Sequence, residues 1–250
     1  MNPGTGKSTR ITTAAVKCYN ITERGDIMIS KKELAAMVDH TNLKPYATAA
    51  DMKKLCDEAM KYGFAMVAIN PAQVARCKEY LKGTPVHVGA AIGFPLGQNT
   101  IAVKEFETED AIKNGADEID YVINLTEVKE KNWAYVEEEM QRIVAVCRKY
   151  NVISKVIFEN CYLTKEEIRK VAEIALKVRP DYVKTSTGWG AGGATHEDIA
   201  IMKDVLGDKV KVKAASGIKT FEQAIGFVED GCSRLGTSSG IAILDGYPEK

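Results

Sequence analysis

From residue 33 the chain alternates short β-forming runs with amphipathic helical stretches, and it repeats that unit eight times. The β-type runs are AMVDHTN (36–42), FAMVAIN (64–70), VHVGAAIGF (86–94), EIDYVINL (118–125), SKVIFEN (154–160), DYVKTST (181–187), KVKVKAAS (209–216) and SRLGTSS (233–239). Between them lie stretches such as DMKKLCDEAMKYG, WAYVEEEMQRIVAVCRKY and TKEEIRKVAEIALKV, with Leu55, Ala59 and Tyr62 or Ile168, Ala172 and Ala175 at helical spacing. Gly63, Gly83, Gly115, Pro180, Gly207 and Gly231 supply stop signals. Strand–helix–strand repetition makes each helix a crossover between parallel strands. Eight strands in about 210 residues predict a (β/α)8 TIM barrel, an α/β fold. A doubly wound open sheet usually has fewer strands, and no G-x-G-x-x-G follows the first strand. Residues 31–250 therefore read as one barrel domain. Residues 1–30, rich in Thr, Asn and Gly without a strong period, read as an N-terminal arm or short helix.

Parallel strands are buried on both faces and should read as Val, Ile and Leu. Several here carry charges instead, and side chains alternate faces with a period of two. Glu118 and Asp120 share one face of the fourth run; Lys155, Ile157 and Glu159 share one face of the fifth. Lys184 ends the sixth, and Lys209, Lys211 and Lys213 share a face of the seventh. Pointed inward, these charges converge, either as a structural ion network or as a reaction centre. Catalytic groups of such barrels lie at the C-terminal ends of the strands, which favours Asp120, Lys184 and Lys213. Glu118, Lys209 and Lys211 lie deeper and read as structural.

The turns AASGIKT (214–220) and GTSSG (236–240) follow the last two strands and precede helix starts. Exposed backbone N–H groups there would hold an anion, and this fold commonly places a phosphate at those loops. A lysine buried beside a second cation has a lowered pKa, and its neutral amine attacks carbonyls to form a Schiff base. A nearby aspartate can accept and return a proton. Such chemistry needs no cofactor, and the anion site suggests a phosphorylated sugar or aldehyde.

One segment argues differently. GTGKST (4–9) looks like a phosphate loop, but the motif G-x-x-x-x-G-K-[ST] would require glycine where Met1 stands, with a strand before it. It reads as a flexible leader. Lys plus Arg and Asp plus Glu number 34 each, so no global field favours nucleic acid or an anionic membrane. There is no apolar run near 18 residues and no signal-peptide core. Six cysteines without a C-x-x-C pair suit reduced thiols and a cytoplasmic location. Three histidines lack ligand spacing, so no metal is expected.

The segments DHTNLKP (39–45), GFPLG (93–97), GADEIDYVIN (115–124), DYVKTSTG (181–188), VKAASGIKT (212–220) and RLGTSSG (234–240) resemble the deoxyribose-phosphate aldolase family of class I aldolases. The likeness spans nearly everything from residue 33 to 240. It implies reversible cleavage of 2-deoxy-D-ribose 5-phosphate to D-glyceraldehyde 3-phosphate and acetaldehyde, in deoxyribose catabolism. By that likeness Lys184 forms the Schiff base, Lys213 lowers its pKa, and Asp120 relays protons. Asp39 and Thr41 order the site and contact substrate; Thr187, Gly188, Ser216, Gly217, Lys219, Gly236, Ser238 and Ser239 hold the substrate phosphate. A homodimer or homotetramer is expected.

The chain also departs from the family pattern. Lys211 stands where glycine is usual, which predicts a third cation near the lower lumen, neutralised by Glu118 or Glu159. Trp189 would reshape the pocket rim, and Ser216 would offer a hydroxyl where a glycine is usual. Three other readings remain at this stage: another Schiff-base aldolase or transaldolase, a non-catalytic sugar-phosphate-binding barrel, and a nucleotide hydrolase built on GTGKST.

Overall fold

The computed structural model describes residues 29–248; the leader GTGKST and most of the proposed arm lie outside them. Among the described residues the elements run α1 (Lys31–Ala35), β1 (Val38–Asn42), α2 (Ala49–Tyr62), β2 (Met66–Ile69), α3 (Val74–Tyr80) and β3 (His87–Ile92). They continue with α4 (Ile101–Lys113), β4 (Glu118–Val122), α5 (Leu125–Lys129), α6 (Trp133–Lys149), β5 (Ile153–Ile157) and α7 (Lys165–Val178). The last are β6 (Tyr182–Lys184), α8 (His196–Leu206), β7 (Lys211–Ala215), α9 (Phe221–Glu229), β8 (Arg234–Thr237) and α10 (Gly240–Asp245). The strands pair in chain order, all parallel, and β8 closes on β1. The eight-fold alternation thus folds as the expected barrel.

Two faces of each strand meet different surroundings. Outward residues such as Val67, Ile119, Val156, Val183 and Val212 are fully buried beneath the helices. They share that layer with Met140, Ile143 and Val144 of α6 and Ile168, Val171 and Ala175 of α7, so hydrophobic burial between sheet and helices holds the barrel. The inward face carries the charged residues, from Asp39 on β1 and Glu118 and Asp120 on β4 to Arg234 on β8. In the parallel register Asp120 lies beside Lys155, and Lys184 beside Lys213.

Strands are shorter than the β-forming runs, and the reason is local. After Lys184 the chain stops pairing as a ladder: the Thr185 hydroxyl accepts from the Ala215 N–H at 3.1 Å, and the Thr187 N–H donates to Glu159 Oε1 at 3.1 Å. Thr185 still keeps backbone bonds to Lys213 and Asn160, and beyond it side chains take over as partners, so Thr187 and Gly188 border the mouth. Lys209 precedes β7 and is exposed.

Helix starts follow a repeated chemistry. Thr48 with Asp51, Thr164 with Glu167 and Thr220 with Gln223 form reciprocal capping boxes, and Thr100 and Thr195 cap α4 and α8. Each satisfies N–H groups that the first helical turn leaves without partners. Thr164 is exposed, so truncating it removes the cap and opens no cavity. Thr164→Ala should lower stability by about 1 kcal/mol, read as a shift in the urea midpoint with an unchanged slope.

Candidate active site

β4, β5, β6, β7 and β8 each deliver a charged side chain into the lumen, and β1 adds Asp39. The centre is one carboxylate. Asp120 Oδ1 accepts from Lys155 Nζ at 2.7 Å, while Oδ2 accepts from Lys213 Nζ at 2.7 Å and Lys184 Nζ at 3.0 Å. Beneath them Asp39 meets Lys213 and Arg234, each at 2.5 Å. Glu118 bonds Arg234 at 2.9 Å and also pairs with Lys155. All these side chains are buried except that of Arg234, which is 11% exposed.

Three carboxylates in this cluster face four cations. In a low-dielectric lumen a surplus charge is costly, and the group that loses its proton most easily is Lys184. Its pKa is pushed down to about 8, first by burial and then by the Lys213 charge, with Asp120 opposing both. Burial alone would raise Asp120 and Glu118. Burial is the largest single influence, but the surrounding charges together outweigh it, Lys155 first, then Lys213 and Lys184 at Asp120 and His87 and Arg234 at Glu118, so both carboxyls lie well below their usual range. Their stabilising contribution is complete above the ordinary carboxylate range and is lost as pH falls toward those depressed values.

Above this cluster a cavity of about 860 Å³ opens at the C-terminal ends of the strands. Lys184 reaches its floor; Asp120 and Lys213 do not line it and lie behind that lysine. Thr41, Thr187, Gly188, Ser216, Gly217, Lys219, Gly236, Ser238 and Ser239, all singled out in the sequence, line the cavity together. Ser216 and Gly217 carry successive positive φ angles of 71° and 82°, which turn their backbone away from the strand direction. For serine that conformation costs about 1 kcal/mol or more. Gly236 has a second reason to be glycine: an added Cβ would come within 3.1 Å of Lys213 Cε and 2.9 Å of Ala215 Cβ.

The family model described as DeoC/LacD family aldolase matches residues 33–245. The chain belongs to the DeoC/LacD aldolase family. It is 57% identical over 211 residues to a deoxyribose-phosphate aldolase of Lactobacillus acidophilus, covering 84% of this chain and 89% of that one. To one from Thermococcus kodakarensis it is 48% identical over 224 residues, covering 89% and 100%. A solved structure from Aeropyrum pernix, described as a tetrameric deoxyribose phosphate aldolase, superposes with a TM-score of 0.81 at 29% identity, covering 86% and 91%.

Several expectations need correction in this member of the DeoC/LacD family. The third lumen cation is Lys155 and not Lys211. Lys211 begins β7 at the exposed base, where its ammonium lies 5.4 Å from the Tyr182 ring centre. Glu118 therefore neutralises Lys155 and Arg234. Glu159 pairs with neither; its backbone turns to φ 54°, off the strand face, and its carboxylate grips the Thr187 N–H and hydroxyl. Asp39 does not line the cavity. Its carboxylate is taken up by Lys213 and Arg234 below. Trp189 does stand at the rim, about half exposed.

Reading the sequence missed Arg234 and His87 and left Lys155 without a role. The signal was present, since each is a charged or titratable residue in a run that otherwise reads as buried strand. Among the described residues no group of His, Cys, Asp and Glu could hold a metal ion.

The depressed Lys184 pKa carries a stability cost. The unfolded lysine holds its proton up to about 10.5 and the folded one only to about 8, so the cost is complete below 8 and is relieved as pH rises through that window. Lys184→Met leaves Asp120 bound by two lysines. The variant should be more stable than the wild type by roughly 1–3 kcal/mol at neutral pH, with the gain shrinking as pH rises from about 8 to about 10.5 in paired urea titrations.

Proposed function

We propose that this protein is a deoxyribose-phosphate aldolase, cleaving 2-deoxy-D-ribose 5-phosphate to D-glyceraldehyde 3-phosphate and acetaldehyde through a Schiff base on Lys184. The observation that carries the reading is a lysine amine with a pKa of about 8 at the floor of an open cavity, with its proton-exchange partner 3.0 Å away. The named relatives support the substrate, since they cover most of both chains at close identity.

The chemistry follows from the geometry. The neutral Lys184 amine adds to the C1 aldehyde of the open-chain sugar and loses water to give an iminium. The C3 hydroxyl gives up its proton, the C2–C3 bond breaks, and its electron pair flows into the iminium to form an enamine. Glyceraldehyde 3-phosphate leaves, the enamine carbon is protonated, and water hydrolyses the resulting iminium to acetaldehyde and free Lys184. Asp120 Oδ2 accepts from both Lys184 and Lys213, so a proton can pass between the two amines across one oxygen. The Ser216–Gly217 and Ser238–Ser239 turns, with Lys219 exposed nearby, suit the substrate phosphate at the far side of the same cavity.

The same reading extends to assembly and location. The Aeropyrum pernix relative is described as tetrameric, and a homodimer or homotetramer is the expected state here. The described cysteines are all unpaired, which suits a reducing cytoplasm. No described helix is long and apolar enough to cross a membrane.

Incubation with 2-deoxyribose 5-phosphate and borohydride should leave a reduced two-carbon or sugar-phosphate adduct on Lys184, located by peptide mass spectrometry and absent from Lys184→Leu. Sugar phosphate that binds without any adduct would replace the aldolase reading with a binding barrel. Lys213→Leu should keep a folded protein but lower kcat by about 10²–10⁴, because the amine regains its proton and the relay loses one end.

A further inference from the structure

The charged lumen has a second end. At the N-terminal side of the barrel a separate open cavity of about 500 Å³ is lined by His87, Asp117, Lys78, Glu79 and Lys82. His87 begins β3, and its side chain is 44% exposed there, so it exchanges protons with solvent. Its Nδ1 lies 2.8 Å from Glu118 Oε1, the oxygen that also accepts from Arg234 Nη2 at 2.9 Å. The other Glu118 oxygen pairs with Lys155, and Lys155 donates to Asp120 at 2.7 Å. Asp120 in turn holds Lys184 at 3.0 Å. An unbroken line of contacts thus runs from solvent at the base to the amine at the mouth.

We propose that His87 is a positioning residue whose protonation at the base sets the charge state of Lys184 at the mouth, acting through Glu118, Lys155 and Asp120. The inference rests on Lys184 being the reacting amine. The sign follows from competition for two carboxylates. A charged His87 satisfies Glu118, so Lys155 is free to lean on Asp120, and Asp120 supports the Lys184 ammonium less. The added positive field acts in the same direction. Loss of the His87 proton returns Lys155 toward Glu118, and Lys184 holds its proton more tightly.

The groups facing both ends are consistent with that direction. His87 faces Glu118 and Asp117 from β4 and the turn before it, and Arg234 from β8. Glu118 dominates and holds its pKa above the usual histidine value. Lys78 of α3 is taken up by Asp117 at 2.6 Å, and Lys82 lies 3.9 Å from Glu79. Lys184 faces Asp120, Lys155 and Lys213, with Glu159 further along the β5 loop. A histidine at this position converts a fixed charge balance into one that moves with pH.

The test compares a fixed charge with none at position 87. The titration midpoint of Lys184 is read without substrate, as the pH dependence of its acylation by acetic anhydride relative to an exposed lysine, in wild type, His87→Lys and His87→Gln. Melting curves confirm that each variant is folded. The proposal expects the His87→Lys midpoint to lie below that of His87→Gln by about half a pH unit or more, with wild type between them. Midpoints that coincide, or that differ in the opposite order, overturn it. Borohydride trapping with acetaldehyde separates this from the function itself. A Lys184 adduct with coincident midpoints leaves the aldolase standing and removes the His87 role. Separated midpoints with no adduct leave the coupling standing and remove the Schiff base.

Discussion

Everything distinctive in this barrel depends on one carboxylate shared by three lysines. Asp120 lies where a parallel barrel normally stacks branched apolar side chains, and it binds Lys155, Lys184 and Lys213. Removing such groups from water costs several kcal/mol per ion, and only near-complete pairing repays it. The pairing is nearly complete, with Asp39, Glu118 and Arg234 closing the network beneath. The one cation in excess falls on Lys184, at the end nearest the open cavity. The imbalance is therefore what makes a nucleophile: the same burial that destabilises an ammonium leaves a free amine at a pH where free lysine has almost none.

Stability and reactivity are separated in space. The outward faces of the strands are apolar and fully buried under the helices, which carry the folding free energy. The inward faces carry charge. At the mouth, backbone conformations that L-residues avoid appear at Glu159 and Ser216. Glu159 turns out of β5 and seizes Thr187, which fixes the loop directly after Lys184. Ser216 turns the chain after β7 so that its backbone borders the cavity. Both strained residues stand beside the site, where a rigid scaffold can hold them.

The lumen network also joins the two ends of the molecule. Its upper end is closed off from solvent by Lys184, whereas His87 leaves the lower end in contact with it. Close packing around the ion chain gives a change at one end few ways to dissipate before it reaches the other, because each carboxylate is already shared between cations.

By itself, the sequence determined the eight-fold alternation, the crossover helices and hence the barrel, because hydrophobic period and glycine punctuation are local properties. It also marked Asp120, Lys184 and Lys213 as late-strand charges, and the small-residue turns after β7 and β8. Strand boundaries and stagger it could not supply. Lys211 and Lys213 have the same parity, yet one opens β7 at the exposed base and the other lies in the lumen. Asp39 reads as a mouth residue but is drawn down by Arg234, 195 positions away. His87 and Glu118 meet only because β3 and β4 pair with the register they do. Which charges find each other is settled by closure of the sheet, since a buried charge takes its pKa from neighbours that are distant in the chain.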